Sequence, residues 1–274
     1  MTAERDDRAF KALTDKISRE RGVTCGAYKE KGLRRRIAVR MRARGVHTFE
    51  DYGRLLDQDA HEYQHLLDAL TINVTKFYRN PATWNALARD HLPALWSARP
   101  RGLSAWSAGC ASGEEPYTVA VVLAEAARRA AQPDGLARCR VDATDVDRLS
   151  LERTAAAEFA APAFSEMPVE LVGRYFSDAS PARRPVDALC KIVHVRRHDL
   201  AREAPPHPPY DLIVCRNVVI YFDRATQEVL FERFARALSP GGILVLGKVE
   251  TLFGPARERL VLEDPRERIY RNPG

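Results

Sequence analysis

The chain reads as an α/β protein: a doubly wound, mostly parallel sheet, preceded by an all-helical segment and interrupted by a small β-rich insertion. Three observations predict this. Residues 8–95 carry only helical patterns. From Leu103 onward, short apolar runs alternate with amphipathic ones, the order that builds a parallel sheet flanked by helices. The interval from Asp145 to Asp199 is too long for one crossover helix and is punctuated by Pro162, Pro168, Pro181 and Pro185. At 274 residues and 45% apolar content, the length suits one small helical domain plus one α/β domain. The expected boundaries are 1–80 and 81–274, with the insertion at about 162–198.

Each element has a local reason. Leu33, Ile37 and Met41 recur at i, i+4 and i+8, so one stripe of a basic helix packs inward. Helices are expected at 60–70 and 81–98, the latter with Pro81 in its first turn. LSAWS reads as the first strand, EEPYTVAVVLAEAARRAA as a helix and RVDATDVD as a second strand end. A helix over 147–158 follows, and GRYF and KIVHV read as short runs within the β-rich insertion. YDLIVC is a strong strand, DRATQEVLFERFARAL an amphipathic helix, SPGG a turn and ILVLG a strand. RLVLED and RERIYRN, separated at Pro265, read as a closing antiparallel hairpin.

Composition narrows the partners. No run approaches the ~18 apolar residues of a membrane span, and MTAERDDRAF is charged rather than signal-like. Five scattered cysteines without a CxxC pair point to reduced thiols in the cytoplasm, with no disulfide framework and no metal site. The net charge is +6, and residues 29–44 alone hold two lysines and six arginines against Glu30. That run attracts a polyanion, whether nucleic acid, an acidic membrane surface or an acidic protein face, unless it is simply a solvated helix face.

The loop WSAGCASGEEPY, Trp106–Tyr117, stands where many nucleotide-binding folds hold a phosphate. Here Glu114 and Glu115 compensate the positive helix start themselves, so a phosphate would meet like charge. A phosphate-free cation fits: S-adenosylmethionine (SAM) carries an ammonium, a sulfonium, a ribose and an adenine. Asp145, closing the second strand, suits ribose hydroxyls. NAD enzymes share that pattern, but the GxGxxG fingerprint is missing.

With TINVTKFYRN, SAGCASGEEPYTVA, ATDVD, CRNVVIYF and SPGG in that order, the chain resembles the CheR-type chemoreceptor methyltransferases from about residue 10 to 270. The resemblance implies a class I SAM-dependent methyltransferase fold, with a helical N-terminal domain and an inserted antiparallel β subdomain. It implies glutamyl methyl ester formation on chemoreceptor signalling helices. It also implies cofactor contacts at Asn73, Thr75, Arg79, Glu115, Asp145, Asn217 and Val218, and at Asp199–Leu200, where the family has Asn–Leu. Arg79 and Tyr221 correspond to the residues lining the methyl-transfer site. Arg34, Arg35, Arg36, Arg40 and Arg42 would seat the receptor or another acidic protein surface. A monomer is expected, without DNA and without membrane insertion. Alternatives are a relative that methylates another protein or a small carboxylate, and a SAM-binding regulator without catalysis.

Two stretches depart from the family. Gly247-Lys248-Val249-Glu250 replaces Gly-His-Ser-Glu, and Thr154–Phe159 replaces an Ala-Arg-x-Gly-x-Tyr pattern. Two others are decoys. HEYQH (61–65) spells a zinc-protease motif but lacks a third ligand at the right spacing, and reads as a solvated helix face. PPY (208–210) precedes a strand rather than following one, and reads as a linker. His91, His194, His198 and His207 read as structural or exposed.

Overall fold

The structure, a computed structural model, describes residues 2–71, 75–177 and 181–274. It divides into two compact units, Met1–Asn73 with Tyr221–Thr226, and Val74–Ile220 with Gln227–Gly274.

The first unit is helical: α1 (Thr2–Arg21), α2 (Glu30–Ala43), α3 (Phe49–Gln58) and α4 (Ala60–Thr71). Leu33, Ile37 and Met41 of α2 are buried, as their spacing requires, and so are Leu13 and Ile17 of α1, Tyr52 and Leu56 of α3 and Leu66 of α4. Thr48 caps α3 by accepting the Asp51 N–H at 3.1 Å. The short segment from Tyr221 is tied to the same unit: Lys29 N–H donates to Tyr221 O (3.0 Å) and Asp223 N–H to Ala27 O (2.9 Å).

HEYQH is not a solvated face. His61 and His65 are exposed, but Glu62 between them is fully buried. Its carboxylate accepts both Arg40 Nε (3.0 Å) and Arg40 Nη2 (2.6 Å), together with the Tyr52 hydroxyl (2.6 Å). The glutamate of the apparent motif is therefore the charge hub that joins α2, α3 and α4, which periodicity alone does not reveal.

The second unit opens with α5 (Pro81–Ala86) and α6 (Leu92–Ala98), joined by one wider helical turn, and then runs, among the described residues, through nine strands. These are β1 (Ser104–Ala108), β2 (Arg140–Asp145), β3 (Phe159–Ala160), β4 (Ala182–Arg183), β5 (Val193–Arg197), β6 (Tyr210–Cys215), β7 (Leu238–Leu246), β8 (Val261–Asp264) and β9 (Ile269–Arg271). Between them lie α7 (Glu114–Arg129), α8 (Arg148–Ala156), α9 (Val169–Tyr175), α10 (Asp187–Cys190), α11 (Arg224–Ala237) and α12 (Ala256–Arg259). The main sheet has the order β5-β2-β1-β6-β7-β9-β8. Neighbours from β5 to β7 pair in parallel, and β9 and β8 close the edge antiparallel, as the predicted hairpin. The chain winds outward from β1 through β2 to β5, then returns to place β6 on the other side of β1. That reversal opens a crevice at the carboxyl ends of β1 and β6.

Three short expectations are corrected. KIVHV is not part of the insertion: it supplies β5, paired in parallel with β2 from Val141↔Val193 to Asp145↔Arg197. GRYF ends helix α9 rather than forming a β run. SPGG lies inside β7, at a point where its pairing with β6 shifts register. The insertion keeps one antiparallel pair, β3 with β4. Among the described residues no helix is long and apolar enough to cross a membrane.

Candidate cofactor site

The glycine loop after β1 is drawn onto the end of β2. Gly109 and Cys110 N–H both donate to Thr144 O at 2.8 Å, and Ala111 N–H donates to Asp145 Oδ2 at 2.9 Å. Gly109 has φ 86°, and a Cβ there would lie 2.6 Å from Val218 Cγ2. Only glycine lets the loop turn this way beneath Val218. Gly113, with φ 107°, precedes α7. These three loop donors are thus spent inside the protein, and the loop is bounded by the carboxylates of Glu114, Glu115 and Asp145.

Three of those carboxylates differ in environment. Glu114 is buried and accepts the Ser112 hydroxyl at 2.8 Å; burial raises its pKa. Glu115 is half-buried, accepts Ser107 Oγ at 2.9 Å and makes no ion pair among the described residues. Burial pushes its pKa up to about 7, against the opposing pull of the Arg216 charge. Asp145 is half-buried, its two oxygens each holding one backbone N–H, from Ala111 and Asp147, at 2.9 Å. Burial raises its pKa too, and each oxygen retains a lone pair for a ligand hydroxyl.

Arg79 is fixed through its backbone. Tyr78 and Asn80 on either side adopt φ 55° and 61°, a left-handed conformation held only where surroundings enforce it. Tyr78 N–H donates to Thr118 Oγ1 of α7 (3.1 Å), Asn80 N–H to Glu166 Oε2 (2.9 Å), and Trp84 Nε1 to Arg79 O (3.1 Å). Asn80 Oδ1 accepts Arg216 Nη2 at 2.8 Å. Phe77 anchors the stretch, stacked 4.6 Å from Phe164 and edge-on to Phe159 and Phe176.

On the far side of β1, Asn217 follows β6 with φ 60°, and its buried Oδ1 has no partner within the described residues. The end of β5 reaches the same region, because His198 N–H donates to Asp145 O at 2.9 Å. Leu200 is buried next to it. Asp199 folds its carboxylate back to accept the Ala201 N–H at 2.9 Å, capping the turn that follows.

One unit holds Arg79, Glu115, Asp145, Asp199, Leu200, Asn217 and Val218, with Thr75 half-buried at the start of the Arg79 loop. Asn73 lies outside the described residues. Tyr221 belongs to the helical unit, where the Arg36 guanidinium lies 4.7 Å over its ring. The predicted basic face is divided. Arg34 is held by Asp6, Asp7 and Glu30, Arg40 by Glu62, and Arg36 donates to Leu70 O at 2.9 Å. Arg35 and Arg42 are exposed, with Lys31 in the same stripe and Val39 at 49% exposure between them.

Sequence reasoning missed Arg216, Ser107 and Glu250. Arg216 was in view inside CRNVVIYF, but nothing in its spacing shows that it reaches Asn80.

A loop whose Gly109, Cys110 and Ala111 N–H groups are used within the protein, set at the switch point of a parallel sheet with Glu114 and Glu115 opening the next helix, suits a phosphate-free cationic cofactor such as that of the SAM-dependent methyltransferase class. Comparison with known proteins is more specific. Residues 73–266 match the CheR methyltransferase SAM binding domain and residues 8–71 the CheR methyltransferase all-alpha domain, so the chain belongs to the CheR methyltransferase family. It is 32% identical over 259 residues to a chemotaxis protein methyltransferase of Klebsiella aerogenes, covering 92% of this chain and 86% of that one. It is 30% identical over 250 residues to the chemotaxis protein methyltransferase of Listeria monocytogenes, covering 91% and 92%. A probable biofilm formation methyltransferase, WspC, of Pseudomonas aeruginosa is 30% identical over 256 residues, covering 89% of this chain and 56% of that one. The protein is a SAM-dependent methyltransferase.

Proposed function

We propose that this enzyme forms methyl esters on glutamate side chains of chemoreceptor signalling helices. The supporting observations are the half-buried carboxylate of Glu115, which makes no ion pair among the described residues, and that of Asp145, which holds the Ala111 N–H of the same loop; together they suit a phosphate-free cation with a ribose. The relatives named chemotaxis protein methyltransferases point to the receptor as the acceptor.

The reaction asks little of the protein. A glutamate carboxylate oxygen attacks the sulfonium methyl carbon in line. The new O–CH3 bond takes the carboxylate electron pair, and the breaking S–CH3 bond leaves its pair on sulfur as the thioether of S-adenosylhomocysteine. A glutamate with an ordinary pKa near 4.3 is already ionised, so no general base is needed. Rate comes from alignment and exclusion of water. In this reading Glu115 faces the ligand's cationic end, Asp145 accepts the ribose hydroxyls, and Asn217 Oδ1 takes a ligand N–H. Thr75, Asp199, Leu200 and Val218 complete the cofactor contacts and Arg79 lines the transfer site, while Asn73 and Tyr221 are added by the family resemblance alone. Lys31, Arg35 and Arg42 form the stripe left to steer an acidic receptor face, and a receptor signalling region as acceptor supports a cytoplasmic enzyme.

Incubation with tritiated SAM and receptor cytoplasmic fragments tests this. Base-labile label on receptor glutamates supports it; base-stable label, or tight SAM binding with no transfer to the fragments, overturns it.

A further inference from the structure

Glu250 has no part in the chemistry above, yet it is 3% exposed and its carboxylate is crowded with donors. Its Oε2 accepts Gly247 N–H at 2.6 Å and Asn217 N–H at 3.0 Å, while Oε1 accepts Ile220 N–H at 3.2 Å. Its own N–H donates to Gly247 O at 2.8 Å. One side chain thus joins the turn after β7 to the loop after β6. Peptide groups in such turns have no ladder partners, and a buried carboxylate supplies strong ones. Gly247 makes the approach possible: a Cβ there would lie 2.7 Å from Glu250 Oε2 and 2.8 Å from Asn217 N.

At the other end of this brace are the features the cofactor needs. Asn217 is held at φ 60° with its Oδ1 buried and without a partner among the described residues, and Val218 is pressed against Gly109. We infer that Glu250 is a positioning residue that sets the Asn217–Val218 loop for SAM while touching neither cofactor nor substrate. The inference rests on the reading of Asn217 and Val218 as cofactor contacts. It also explains the departure at 247–250. Only the glycine and the glutamate of that stretch hold the loop; Lys248 turns away to Glu267 (3.1 Å) and Val249 is 72% exposed.

Glu250→Gln tests the inference, because the amide keeps the volume and loses one acceptor oxygen. SAM binding is measured by calorimetry at pH 8 on the full chain, beside Asn217→Ala and the unaltered protein. Glu250→Gln is expected to weaken SAM binding and raise its KM by about tenfold, with kcat at saturating SAM within about threefold. Lys248→His with Val249→Ser should bind SAM like the unaltered protein. Unchanged SAM affinity in Glu250→Gln, or a fall in kcat without a rise in KM, overturns the inference. If Asn217→Ala is weakened while Glu250→Gln is not, only the positioning role fails. If Asn217→Ala binds normally, the cofactor reading of that loop fails instead. Should Glu250→Gln not fold, amide exchange on the unaltered protein reads the same brace. The Asn217, Ile220 and Gly247 amides must then gain protection together when SAM binds; independent behaviour overturns the inference.

Discussion

Lowering the pH should release SAM from this enzyme far above the range where ordinary carboxylates titrate. Glu115 titrates near 7 because burial penalises its charge. Arg216 and Arg79 oppose that rise with positive charge, the Ser107 hydroxyl opposes it with a hydrogen bond, and Glu250 adds to it with like charge. A cationic ligand binds the ionised form, so affinity follows the ionised fraction. With a pKa of about 7 that fraction falls from roughly three-quarters at pH 7.5 to about 3% at pH 5.5, a loss of about 25-fold or roughly 2 kcal/mol. The raised pKa of Asp145 adds loss in the same direction as pH falls. The sulfonium remains charged throughout, and the ligand's ammonium only gains protons as pH falls, which would strengthen binding, so a loss at low pH belongs to the protein. Calorimetry of SAM binding between pH 5.5 and 7.5, in buffers of different ionisation enthalpy, should show the affinity loss and nearly one proton released per ligand at pH 5.5. Glu115→Gln should bind weakly with much less pH dependence. A flat profile in the unaltered enzyme, or the same slope in Glu115→Gln, would refute the electrostatic role given to Glu115.

Other expectations concern stability and docking. Glu125 of α7 is 6% exposed and accepts Arg128, Arg174 and the Tyr175 hydroxyl, which hold its pKa down to about 2. Glu125→Gln should cost up to about 3 kcal/mol in urea unfolding at pH 7. Because the native pKa is depressed, this contribution is present above about pH 4.5 and lost as pH falls towards 2, so a cost that persists at pH 2 would count against it. Ala157 ends α8 with φ 53° where the family pattern has glycine, so Ala157→Gly should stabilise by about 1 kcal/mol in the same assay; a loss would show that alanine is not strained there. Reversing Lys31, Arg35 and Arg42 to Glu should raise the KM for receptor about tenfold at low salt, with the gap closing near 0.5 M. A salt-independent or absent effect would leave the stripe a solvated face.

The features legible in the sequence were local or periodic. The Leu33–Ile37–Met41 stripe, the strand and helix alternation and the closing hairpin all follow from repeat patterns along the chain. The sign of the ligand loop was legible too, because Glu114 and Glu115 are adjacent in sequence. What escaped was set by contacts between distant segments. KIVHV has the composition of any short strand, and only its partner Val141–Asp145 makes it part of the main sheet. Arg34, Arg36 and Arg40 carry the same charge as Arg35 and Arg42, but their partners lie in α1, at the end of α4 and at Glu62. Glu250 could have been suspected from Gly247 three residues earlier; its grip on Asn217, 33 positions away, could not.

The most direct test is a structure of the enzyme with SAM bound. The ligand's cationic end should lie beside Glu115, with the ribose hydroxyls on Asp145 and the Asn217 Oδ1 engaged. A ligand seated elsewhere, or a dinucleotide preferred in that crevice with phosphate on the Gly109–Gly113 loop, would contradict that placement.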